Sequence, residues 1–150
     1  MTDTLKARLQ DDMKTAMKSG AKDRLAVIRL MLSAIKQVEV DERIDPDDAR
    51  VTAILDKMAK QRRESIAQFE NAGRDDLIAI EQAELVIIKE YLPEALSDDQ
   101  INELVEQSIA NTGATTIKDM GKLMGVLKPQ LQGRADMGKV SQLVKSRLSA

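Results

Sequence analysis

Three groups of residues carry types and spacings that chemistry could use. The first lies mid-chain: Arg62-Arg63-Glu64-Ser65, then Gly73-Arg74-Asp75-Asp76-Leu77, then Glu81 and Glu84. Glu81 and Glu84 are three residues apart, so a helix puts both carboxylates on one face, where they could share a proton or a metal ion. The commoner fate of such a pair is an ion pair with a neighbouring guanidinium, and Arg63 and Arg74 are the candidates. Whether the cluster Arg63, Glu64, Arg74, Asp76, Glu81 and Glu84 is structural or functional stays open at this point.

The second group is Lys118-Asp119-Met120-Gly121-Lys122-Leu123-Met124-Gly125. On a helix this places Met120 and Met124 on one face, Lys118 and Lys122 on another, and Gly121 and Gly125 on a third. Methionine at that spacing reads as ordinary core. Glycine inside a helix costs about 1 kcal/mol relative to alanine, so two of them imply a surface that something approaches closely. Close packing by another helix of the same chain would explain them equally well.

The third group is the loop Gly133-Arg134-Ala135-Asp136-Met137-Gly138-Lys139, which runs into a helix start. Helix N-termini expose unpaired N–H groups and favour anions, and Arg134 and Lys139 flank this one. Asp136 competes as a cap. No Lys-Ser/Thr follows the glycines and no strand precedes them, so neither a Walker loop nor a dinucleotide fingerprint is present. The residues singled out are therefore Lys118, Lys122, Arg134 and Lys139 as phosphate contacts. Gly121, Gly125, Gly133 and Gly138 mark a surface of close backbone approach.

Composition narrows the chemistry further. The chain has neither cysteine nor histidine. Disulfides, thiol nucleophiles and Cys-based zinc sites are excluded, and so are the usual neutral-pH general base and the commonest metal ligand. Acid–base work would rest on Asp, Glu, Lys or Tyr91. No metal or cofactor is expected, and no catalytic residue is assigned.

The elements that position these residues are helical. Hydrophobic residues make up 43% and charged residues 32% of 150 positions, and the dominant types are good helix formers. Apolar positions recur at three and four. A first helix is expected from about Asp3 to Lys18, stopping at Gly20, and a second from Asp23 to Arg43. Asp45 as cap with Pro46 as first helical residue opens a third, which Gly73 ends. A fourth covers Asp75 to Glu90, with Leu77, Ile80, Ile87 and Tyr91 inward.

Pro93 marks the clearest boundary, because it keeps Leu92 out of the helical region. Beyond it, Ser97 and Gln100 form a capping-box pattern, and Thr116 and Asp119 a second. Ile117, Met120, Met124, Leu127 and Leu131 form one inward stripe, which Pro129 should end or kink. A last helix carries Val140, Leu143, Val144 and Leu148. The fold class is all-α. An N-terminal four-helix domain over 1–92 precedes a smaller three-helix domain over 93–150.

Charge divides the chain in the same direction. Residues 1–112 carry a net −7, whereas residues 113–150 hold seven Lys and Arg against Asp119 and Asp136 alone, a net +5. A basic end on an acidic body fits a polyanionic partner, and a solvated helix face is the plainer alternative. No apolar stretch is long enough to span a membrane. No charged-then-apolar leader opens the sequence, so a cytoplasmic location is the expectation.

Arg63-Glu64-Ser65, Gly73-Arg74, Asp76-Leu77, Tyr91-Leu92-Pro93, Asp119-Met120-Gly121-Lys122, Met124 and Gly133-Arg134-Ala135-Asp136 occur in an order that resembles the YqeY family. The resemblance covers essentially the whole chain. Leu123 stands where that family's pattern has Val. The C-terminal part is similar to the tail domain of the GatB component of the tRNA-dependent amidotransferase, a carbon–nitrogen ligase with glutamine as amido-N-donor. That grouping, GatB/YqeY, implies two helical parts and a tail domain that helps hold the tRNA elbow. The cradle domain and the amidase component have no counterpart here.

Two functions follow as expectations. One is an accessory module that binds tRNA or another structured RNA. With one Phe and one Tyr it cannot build a stacking platform, so it would grip folded RNA by its backbone. The other is a protein–protein adaptor docking on an aminoacylation or amidation enzyme. The pure chain is expected neither to hydrolyse glutamine nor to convert misacylated tRNA. Either activity, lost on changing one named carboxylate, would overturn that expectation.

Overall fold

A computed structural model of the chain describes residues 4–149. Among the described residues there are seven α-helices, one 3-10 turn and no strand, which makes the fold all-α. The chain resolves into two compact units, one ending at Leu92 and one beginning at Pro93.

The first unit holds α1 (Leu5–Ser19), α2 (Lys22–Glu42), α3 (Asp48–Ala72) and α4 (Asp75–Lys89). Thr4 caps α1 by accepting from the Ala7 N–H at 3.1 Å. The expected start at Asp3 lies outside the described residues. The start of α3 differs from the sequence expectation: Asp47, not Asp45, is the cap, accepting from the Arg50 N–H at 2.9 Å. Pro46 precedes the cap and is buried, so its ring packs instead of opening the helix. Asp48 reaches across to accept from the Leu5 N–H at 2.9 Å, tying the two helix starts together. At Gly73 the chain turns left-handed, φ 68°, a conformation that glycine adopts without steric cost.

Leu9, Ile28, Met31, Ile35, Val51, Leu55, Ala59 and Ile88 form the core of this unit, all essentially sealed from solvent. Towards the end of α4 the inward set is Leu85, Ile88 and Tyr91, with Leu77 and Ile87 half-buried. Ile80, expected inward, is 56% exposed. It falls outside the inward stripe of α4, which runs through Leu77, Glu81, Glu84, Leu85 and Ile88.

Tyr91 closes the unit. Its side chain is buried, 3% exposed. Its hydroxyl donates to Asp12 on α1 and accepts from the Arg24 guanidinium on α2 at 3.3 Å. Arg24 also holds the Glu90 carboxylate at 2.6 Å, and the Arg8 guanidinium lies 4.6 Å from the ring centroid. Arg8 further donates to the Glu90 carbonyl at 3.3 Å. The end of α4 is thus anchored to both α1 and α2.

The second unit holds α5 (Asp98–Thr112), a 3-10 turn (Ile117–Asp119), α6 (Met120–Leu131) and α7 (Met137–Ser149). Ser97 and Gln100 form the expected capping box on α5, at 3.2 and 2.9 Å. The pattern at Thr116 and Asp119 opens only the single 3-10 turn, which runs directly into α6. Ile117, expected inward, is 45% exposed. Val105, Leu123, Leu127, Leu131, Val140, Val144 and Leu148 form this core, with Met120 and Met124 packed at its edge. Pro129 does not end α6: the helix continues to Leu131. Proline removes the N–H that would bond the Gly125 carbonyl, and its ring crowds that carbonyl, but only two residues of helix follow it.

Burial and the Asp12 hydrogen bond push the Tyr91 hydroxyl up to about 12. Folding favours the neutral phenol, so its contribution to stability is complete below the unfolded value of about 10 and is lost as pH rises from there through the folded value. Tyr91 is the only tyrosine and there is no tryptophan, so ultraviolet titration reads one site. The native chain should ionise at about pH 12, and the urea-unfolded chain at about pH 10. Tyr91→Phe should cost about 1–2 kcal/mol in urea unfolding.

Candidate nucleic-acid interface

The cations of the second unit are best understood from its two carboxylates beyond residue 112. Asp119 sits in the 3-10 turn and accepts from the N–H groups of Thr115 and Thr116 at 2.9 and 3.2 Å. Those two bonds, helped by the nearby Lys122 charge, hold its carboxyl below the usual range. Asp136 precedes α7 and accepts from the Gly138 N–H at 2.9 Å. Both carboxylates are therefore engaged by backbone and form no ion pair among the described residues. Lys118, Lys122, Lys128, Lys139 and Lys145 likewise have no ion pair among the described residues, and Arg147 pairs with Glu106 of α5 at 2.8 Å.

The buried stripe of α6 is Leu123, Leu127 and Leu131. At about 100° per residue, the opposite face is Gly121, Lys122, Gly125, Val126, Lys128 and Pro129, and all six are exposed. Glycines and lysines thus share one face of α6. A Cβ added at Gly121 or Gly125 would meet nothing within 4 Å. Close packing by another helix among the described residues does not explain these two glycines. Lys118 leads into α6 from the 3-10 turn.

Arg134 and Lys139 lie elsewhere in the unit. They line a groove of about 450 Å³ whose floor is Leu96, Ile101, Val140 and Leu143 and whose rim also carries Asp98 and Asp136. Arg134 is half-buried and has structural work: its Nε donates to the Glu94 carbonyl at 3.4 Å, and its carbonyl accepts from the Leu96 N–H at 2.9 Å. The anion position at the start of α7 is filled by the Asp136 carboxylate itself. Gly133, φ 79°, makes the turn out of α6, and Gly138 lies with its Cβ position 3.2 Å from the Asp136 carboxylate. The four cations fall into two pairs: Lys118 with Lys122, and Arg134 with Lys139.

The mid-chain cluster resolves into ion pairs. Arg62, rather than Arg63 or Arg74, holds Glu84 at 3.1 Å and Glu81 at 4.0 Å, all three half-buried. Residue 62 lies one position before Arg63 on α3, on the side that faces α4; Arg63 and Glu64 are exposed. Arg74 grips Asp76 with two bonds of 3.1 and 3.0 Å, which lowers the Asp76 pKa. Among the described residues no group of three acidic side chains is arranged to hold a metal. No described helix is long and apolar enough to cross a membrane. The polar cluster around Tyr91 was not anticipated; Arg8 and Asp12, four residues apart on α1, were its only signal.

A family profile described as Yqey-like protein matches residues 6–148. A protein of Pyrenophora tritici-repentis named Altered inheritance of mitochondria protein 41, mitochondrial, is 30% identical over 95% of this chain and 80% of its own length. Proteins of the same name are 41% identical in Eremothecium gossypii, over 61% of this chain, and 32% identical in Lachancea thermotolerans, over 77%. The matches span 50% and 66% of those two relatives. The names overturn the cytoplasmic expectation, because these relatives are mitochondrial proteins.

Asp136→Ala should cost about 1 kcal/mol, the usual loss for a helix cap. Lys122→Ala should stay within about 0.5 kcal/mol, as for an exposed side chain without an ion pair. Urea unfolding followed by far-ultraviolet circular dichroism checks both.

Proposed function

The chain belongs to the Yqey-like protein family, and we propose that it is an accessory protein that binds tRNA or another structured RNA through its C-terminal unit. One observation carries the reading. In the stretch with net +5, both carboxylates are engaged by backbone N–H groups, and the exposed lysines of α6 form no ion pair among the described residues. Cations without ion pairs on a helix face that carries two glycines suit a phosphate backbone, which must approach closely and needs charge more than shape. The proposed contacts are Lys118 and Lys122 first, with Lys128 on the same face as Lys122. Arg134 and Lys139 rank lower, because Asp98 and Asp136 share their groove and Arg134 also supports the 94–96 segment.

The similarity of this region to the amidotransferase tail domain supports the same reading, with the amidotransferase chemistry belonging to other domains. The compartment that fits the relatives' names is the mitochondrion. A second reading is an adaptor that docks on an aminoacylation or amidation enzyme. The exposure of Val126 between Gly125 and Pro129 favours it, since an apolar residue there serves a protein partner better than a phosphate.

Binding of tRNA by the purified chain should weaken with salt, with a log–log slope of about −0.7 to −0.9 for each phosphate contacted. A folded tRNA should compete better than an unstructured strand. Lys122→Glu should weaken binding to all tRNAs alike, because phosphate contacts carry no sequence information. Lys60→Glu, on α3, should not. Absence of binding at low salt, or indifference to Lys122→Glu, removes the RNA reading and puts the adaptor first.

A further inference from the structure

Helix α4 carries its polarity inside out. Between Asp76 and Lys89 its only charged residues are Glu81 and Glu84, and both turn inward to Arg62. Its solvent side over the same turns is Ala79, Ile80, Gln82, Ala83 and Val86, all exposed, with Val86 at 64%. A helix apolar on both sides normally has a partner on each. Only one side has a partner among the described helices of this unit.

The exposed side has a regular seam. Asp75, Ala79, Gln82, Val86 and Lys89 follow one another at spacings of four, three, four and three, the spacing of a helix-pairing stripe. Its ends carry opposite charge. Asp75 at the first position and Lys89 at the last have no ion pair among the described residues, whereas the adjacent Asp76 and Glu90 are held by Arg74 and Arg24. The charged ends of the stripe are therefore complementary to each other when it is reversed. Two antiparallel copies set Asp75 of each against Lys89 of the other, align opposed helix dipoles, and bring Gln82 to Gln82 at the centre, where each amide can both donate and accept. Ala79 and Ala83 permit close approach of the two backbones.

We infer that the outer face of α4 is a homodimer interface in which two copies of the chain pair α4 antiparallel about Gln82. A single short seam is a small interface, so the dimer is weak and depends on concentration. This inference is independent of RNA binding.

Sedimentation of the full chain, from micromolar to millimolar concentration, should show a mass rising from 16.6 kDa towards twice that value. Val86→Glu should raise the dimer dissociation constant by about tenfold or more, because it sets a charge in the seam. The Tyr91 titration should stay native in that variant. Asp75→Lys alone should weaken the dimer and Asp75→Lys with Lys89→Asp should restore it. The chain has no cysteine, so single cysteines report geometry directly. Gln82→Cys should cross-link to itself on oxidation. Asp75→Cys should not, since two such positions lie roughly 20 Å apart at about 1.5 Å per residue. A monomer throughout, or self-cross-linking at Asp75→Cys as efficient as at Gln82→Cys, overturns the proposal.

Discussion

The phenol of Tyr91 is where three helices of the first unit meet in polar contact. Its hydroxyl needs partners because it is buried, and α1 and α2 supply them as Asp12 and Arg24. Those partners need neutralising in turn, which Glu90 does for Arg24. The surrounding core is entirely aliphatic, with shape but no directionality. An aliphatic core tolerates sliding of one helix along another; a hydrogen-bonded hydroxyl does not. The network therefore sets the register of α4 against α1 and α2. With α4 in register, Glu81 and Glu84 reach Arg62, and the remaining side of the helix is left apolar.

Carboxylate placement explains the electrical character of each unit better than net charge does. In the first unit carboxylates answer cations across helices: Glu39 with Lys6, Glu42 with Arg50, Glu84 with Arg62. Beyond residue 112 the two carboxylates answer backbone N–H groups instead. Their charge still counts towards the total, but it is directed at helix and turn starts. The lysines of α6 consequently form no ion pair among the described residues, and only Lys122 has Asp119 nearby.

Helix number, order and most termini were legible in the sequence, because caps and glycines act within four residues. Ser97 with Gln100, and Gly73, stand where local chemistry requires them. Choices between neighbouring candidates were not legible. Asp45 and Asp47 are equivalent caps on paper, and only the burial of Pro46 decides between them. Likewise Arg62 and Arg63 differ by one position, and the facing of α3 towards α4 selects the first. Pro129 stands two residues before the end of α6 at Leu131, so the end lies close to it but not at it. The lysines and glycines of α6 were legible as residues. That they share a face, while Arg134 and Lys139 line a separate groove, depends on which leucines are buried.

The bond from the Leu96 N–H to the Arg134 carbonyl carries a consequence for synthesis. During translation the first unit has all its core residues once Tyr91 has left the ribosome, and domains generally fold as units in that order. The second unit has no such early closure. Its opening segment, residues 94–96, is held by Arg134, which is made 38 residues after Leu96. The stretch that follows Pro93 therefore remains without its tertiary partner while α5 and α6 are being made. For that interval the first unit has its complete core while the opening segment of the second still lacks its partner.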